Sequence, residues 1–232
     1  MTTHPQSRAF TLTELLVVVC IIAVLVALGL PTMKTALMRA NQTKSMGNLK
    51  NIGAAVSTYL AENDGRYPYQ SGTNSTPPYW SVKVTSYLSA PTGVKTFKGV
   101  AVQVSPVMMD PMLGQTIHHY LGDYGCNNWV FVIPDEGAPQ LSAAALTRSS
   151  EIVMVMTAGN MTPEGVTTSG SWYVNSSYFA WGGKFGAQGC PAYRATDNVL
   201  SLFVDGHLQS IPKDEFKKNR WQYLSLDGKA LN

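Results

Sequence analysis

The sequence predicts an α+β fold. One long amino-terminal helix, transmembrane in its first half and amphipathic in its second, packs on a carboxyl-terminal antiparallel β-sheet. Three observations predict it. No polar side chain interrupts the run from Leu15 to Leu30. Apolar residues then recur at helical spacing as far as Leu60, and beyond Gly65 they give way to short runs separated by Gly, Pro, Asn and Ser. Finally, 232 residues that are 45% hydrophobic and only 13% charged suffice for one folded domain plus an extra element, and this is not a disordered composition. The net charge of +3 is small and no five basic residues are adjacent, so no nucleic-acid partner is expected.

Taken in order, residues 10–31 come first. As a helix, the 21 residues from Phe10 to Leu30 rise about 30 Å, the thickness of a hydrocarbon core. A secretory signal with Arg8 as its charged start is disfavoured, because its apolar core would be shorter and would end in a cleavage site, whereas Pro31 and more helix-like sequence follow here. A plain anchor is disfavoured by Glu14, since a carboxylate in the apolar layer is costly without a partner. Residues 32–64 continue the helix, with Leu49, Ile52, Val56, Tyr59 and Leu60 on one face and Gly65 as its stop.

Residues 65–232 read as a β-rich head. "RYPYQSGTNSTPPYW" is a long connection, and strands are expected at "GVAVQVSPVM", "NWVFVI", "EIVMVMT", "SWYVNSSYFAW" and "NVLSLFVDGHLQSIP". In the last, Asp205-Gly206 is expected to make a two-residue type I′ turn that sets Leu200, Leu202 and Val204 opposite Ile211, Gln209 and His207.

The stretch "RAFTLTELLVVVCIIAVLVALGLP" resembles the amino-terminal signature of type IV pilins and type II secretion pseudopilins. The resemblance implies that residues 1–9 are a leader, that a prepilin peptidase cuts between Ala9 and Phe10, and that the new amino group of Phe10 is methylated. It makes Glu14 the retained acid that pairs with a neighbour's terminal ammonium, and Pro31 the helix-kinking proline. Ala9 departs from the usual glycine. "NLKNIGAAVSTYLAENDGRYP", "YGCNNW" and "NVLSLFVDGHLQSIP" are similar to prepilin-type proteins common in planctomycetes and verrucomicrobia, whose tails often carry a histidine, nine residues, then Asp-Gly. Here Ala195 occupies that histidine's position, beside Tyr193 and Arg194, so its role is not carried over.

The function this implies is a structural filament subunit with no enzymatic activity. Its partners are other pilin subunits, the peptidase and methylase, an inner-membrane assembly platform and the lipid bilayer. Its location is the inner membrane with an extracytoplasmic head, then a periplasmic or surface filament. The competing expectation is a monomeric membrane-anchored binding module. The charge pattern opposes the implied orientation, because Lys34, Arg39, Lys44 and Lys50 follow the span while only Arg8 precedes it.

Chemistry is sparse. Adjacent His118 and His119 lack the spacing of a shared metal site, and His207 near Asp205 has no nucleophile placed beside it. No cofactor is expected. Calcium at Asp123, Asp197 and Asp205 is permitted by the resemblance to some pseudopilins, without a D-x-D-x-D-G array to support it. Cys20 is a small hydrophobe in the apolar run. Cys126 and Cys190 are either two buried thiols or a disulfide that contributes roughly 4 kcal/mol.

Overall fold

The computed structural model describes residues 11–72, 79–88, 95–97, 100–113, 118–134, 139–161, 167–174, 189–194 and 197–229. They divide into two units, one up to Asn41 and one from Gln42. Helix α1, Leu12–Glu62, belongs to both and continues unbroken through position 31; the side chain of Pro31 lies outside the described residues. Its end is a backbone event. Asp64 and Gly65 adopt φ of 53° and 67°, and the Gly65 N–H donates to the Leu60 carbonyl at 2.9 Å, the six-to-one bond of a Schellman ending. Asp64, rather than the expected Gly65, takes the first left-handed position, which a short Asp side chain tolerates.

In the second unit, Leu49, Ile52, Ala55 and Val56 of α1 are buried against one face of a seven-stranded sheet. Gly53 lets the helix approach closely, since a Cβ there would lie 3.2 Å from Leu202. A separate antiparallel pair, β1 (Lys95–Phe97) and β2 (Val100–Val102), stands apart from that sheet. The short α2, Trp80–Thr85, adds Trp80 and Val84 to the helix-side core.

The sheet is built on β4, Val153–Met161. It is flanked by β3 (Tyr124–Asn127) and β8 (Asn198–Phe203) along its first half, and by β5 (Thr167–Gly170) and β7 (Cys190–Pro191) further on. The strand β9 (Leu208–Pro212) pairs with β8, and β6 (Tyr173–Val174) pairs with β3. The β3–β6 pairing is parallel, so the sheet is mixed rather than wholly antiparallel. A bulge between Val153 and Val155 sets two residues of β4 against one of β8. Met154 and Val155 therefore both join the helix-side core while Val153 and Met156 face away.

The far face is also covered. Helices α3 (Lys213–Lys218) and α4 (Arg220–Leu224) bring Phe216, Tyr223 and Leu224 onto Val153, Met156, Val199, Phe203 and Ile211. This closing layer was not expected from the sequence; the head is helix, sheet, helices.

Two expected features are corrected. The segment "NWVFVI" is a turn, because the Asn127 side chain accepts from Trp129 N–H at 3.0 Å while its carbonyl accepts from Val130 and Phe131, which then bury as a strand's residues would. The β8–β9 hairpin has a three-residue loop. Gly206 N–H donates to Phe203 O, Phe203 N–H donates to His207 O, and Gly206 alone is left-handed at φ 90°, so Leu200 meets Ser210 and Leu202 meets Leu208. Type I′ needs φ above zero at both central residues, and Asp205 does not supply it. The one-residue change sends Ile211 to the α3–α4 face instead of the α1 face.

Candidate functional site

The first half of α1 carries the sequence's strongest functional signal. Leu15, Leu16, Val17, Val18, Val19, Ile21, Ile22, Val24, Leu25 and Val26 point to every bearing of the helix, and each is about half exposed or more. The helix is long and apolar enough to cross a membrane. Cys20 is exposed among these residues.

Glu14 sits at the start of this surface, and its carboxylate is held locally. It accepts from Thr11 N–H at 2.9 Å and from the Thr11 hydroxyl at 2.7 Å, while the Thr11 oxygen accepts from Glu14 N–H at 3.3 Å. This is a capping box, with Thr11 and Glu14 satisfying each other's orphan groups and the acid complementing the positive helix end. Ala9 and Phe10, the expected cleavage pair and methylation site, lie outside the described residues.

Among the described residues, the head's buried charged side chains form one cluster. Arg194 Nε donates to Asp110 Oδ2 at 2.8 Å, and Arg194 Nη2 donates to the Ala158 carbonyl at 3.0 Å. Asp123, fully buried, accepts from the N–H groups of Asp110 and His119, each at 2.9 Å, and contacts His118 Nδ1. Burial pushes the Asp123 carboxyl up, and the His119 and Asp110 N–H groups and His118 partly offset this. Gly170 is required beside it, because a Cβ there would fall 1.7 Å from Asp123 Oδ1. The cluster ties residues 108–113 and 118–123 to β4 and to Arg194, just beyond β7. A carboxylate ringed by N–H donors is braced, not aimed at a cation.

The three calcium candidates are not brought together. Asp197 stands 3.6 Å from Lys213 Nζ, and Asp205 bonds His207 Nδ1 at 2.6 Å, the imidazole stacking on Phe203. Among the described residues, no three His, Cys, Asp or Glu side chains gather to hold a metal. Cys126 and Cys190 are thiols, not a disulfide. Cys126 is registered on Val155 and Cys190 on Gly159 of the same strand, roughly 13 Å along β4, whereas a disulfide needs Cα atoms within about 7 Å. Burial pushes the Cys126 thiol well up.

Two curated proteins are similar to this chain. Prepilin peptidase-dependent protein D of Escherichia coli (strain K12) is 32% identical over 94 residues, 40% of this chain and 64% of that protein. Type IV major pilin protein PilA of Myxococcus xanthus (strain DK1622) is 36% identical over 61 residues, 26% of this chain and 28% of PilA. The chain is type IV pilin-like. It thus spans less than two thirds of the length of either relative. No family model and no solved structure matches it.

Two features of this pilin-like chain escaped the sequence reading. The capping box was legible as "TLTE", a Thr-x-x-Glu directly before an apolar run. The Asp110–Arg194 pair was not, because 84 positions separate its members and no pattern joins them.

Proposed function

We propose that the protein is a structural subunit of a type IV pilus or type II secretion pseudopilus, stored in the inner membrane with its head extracytoplasmic and polymerised through the first half of α1. In this reading a prepilin peptidase removes residues 1–9, Phe10 becomes the methylated terminus, and the assembly platform draws subunits from the bilayer. The observation that carries it is the exposed apolar surface from Leu15 to Val26, headed by a single acid. In a membrane that surface meets lipid, and in a filament it meets its own copies. Glu14, exchanging its Thr11 bonds for the amino terminus of a neighbouring Phe10, would bias the second state, since opposite charges attract more strongly in an apolar medium than in water. No catalytic role is proposed for any residue.

The test is the amino terminus of the mature protein, by mass spectrometry of membrane and sheared-surface fractions. N-methylated Phe10 in both supports the reading. An intact start at Met1 or Thr2, found only in membranes, sinks it.

The Thr11–Glu14 capping box favours a second reading, a monomeric anchored binding module, because the acid is satisfied within its own chain. Glu14→Ala separates the two. It abolishes assembly of a filament subunit and leaves the surface level of a tethered module unchanged.

A further inference from the structure

We propose that the segment 33–40, "MKTALMRA", emerges through the membrane interface, where Lys34, and Arg39 by reaching back, hold the phosphates of anionic phospholipids in the leaflet on the carboxyl-terminal side of the span. This rests on the membrane reading of residues 10–31 and names the lipid chemistry that goes with it.

Position is the first argument. Lys34 and Arg39 follow Leu30 by four and nine residues, about 6 and 13 Å along a helix, and the headgroup layer begins where the hydrocarbon ends and is about 5 to 7 Å deep. Both side chains are exposed, and long cationic side chains reach back toward phosphate with their stems on apolar surface. Lys44 and Lys50, about 21 and 30 Å beyond Leu30, are out of reach.

Pattern is the second argument. Met33 and Leu37 are 69% and 62% exposed, interleaved with the two cations. An interfacial stretch suits this pattern, because its apolar groups lean toward the acyl boundary while its cations meet anionic headgroups.

Charge is the third argument. Between Glu14 and Glu62 the helix carries four cations and no carboxylate, so positive charge accumulates beyond the span. The reversed charge bias that opposes the expected orientation thereby gains a role, as a contact with acidic lipid on the far side.

The test uses the full chain in phosphatidylcholine vesicles with a trace of spin-labelled phosphatidylglycerol or spin-labelled phosphatidylcholine. Each interfacial Lys or Arg strengthens attraction to anionic lipid about fivefold. The anionic probe should therefore associate at least about fivefold more strongly than the neutral one, and less so in 1 M salt. K34Q/R39Q should bring the two probes within about twofold, while K44Q/K50Q should leave the preference intact. Equal association of both probes, or a preference that survives K34Q/R39Q, overturns the proposal while leaving membrane insertion standing. A chain that fails to float with the vesicles overturns both. Salt-sensitive self-association that K34Q/R39Q removes, without any lipid preference, would assign the cations to acids of a second copy and overturn it equally.

Discussion

The two halves of α1 are one helix with opposite solutions to the same problem. From Leu15 to Val26 its apolar side chains stand exposed at every bearing; from Leu49 to Val56 only one stripe is apolar, and that stripe is sealed on Leu200, Leu202 and Val155. The difference shows how a single element divides its labour. Where apolar residues are confined to one face, the chain supplies its own cover, and where they go all round, the cover must come from lipid or from other copies.

The largest expected effect that breaks this comparison lies in the head. Asp110→Ala strands a buried guanidinium, which costs about 3 to 5 kcal/mol, and Arg194→Met in the same chain should recover much of it, because the unpaired charge is then gone. Urea unfolding of the full chain in mild detergent measures both; equal stability of the single and double variants would refute the brace.

Next comes a matched pair of truncations along α1. Ile52→Ala should cost about 2 to 5 kcal/mol in the same unfolding experiment, since its side chain is fully buried. Ile22→Ala, 53% exposed, should leave the head's unfolding midpoint where it was and alter only insertion or assembly. Comparable losses from both would erase the distinction between the halves.

Thiol chemistry supplies a sharper, smaller test. Cys126 and Cys190 should resist maleimide in the folded protein and react after unfolding without reductant, while Cys20 reacts whenever its detergent cover allows. A non-reducing mobility shift that only reductant removes would restore the disulfide.

The smallest effect is acid-dependent. Burial raises the Asp205 carboxyl, but the His207 N–H and imidazole outweigh it and hold the group below its ordinary value of 3.8. A lowered folded value means the contribution is present above the ordinary range and lost as the pH falls through the lowered value. Asp205→Asn should therefore lower Tm at neutral pH by an amount corresponding to a few tenths of a kcal/mol, given the pair's exposure, and converge with wild type in acid. A difference that persists at pH 2 would point to the loop's backbone instead.

Legibility in the sequence follows from how local each determinant is. The helical stripe and the apolar run are periodic, so α1 could be read to within a residue or two of Leu12 and Glu62. Strand β4 was readable from its β-branched and apolar content, but not the bulge at Met154, which depends on what β8 presents. The hairpin was found and its loop miscounted, because Asp-Gly suits both a two-residue and a three-residue connection. Helices α3 and α4 are too short to show a period, and their anchors, Phe216 and Tyr223, become meaningful only against the far face of the sheet. At the candidate assembly segment, Glu14 stood out by polarity alone. The Asp110–Arg194 brace is a product of topology and leaves no trace in spacing.

The order of layers also bears on association. The chain's first described element covers one face of the sheet, and its last two helices, ending at Leu224, cover the other. Without those two helices in place, that face of the sheet meets water with Val199, Phe203 and Ile211 uncovered. A head without α3 and α4 would therefore carry a second uncovered apolar face, of the kind that invites association with other chains.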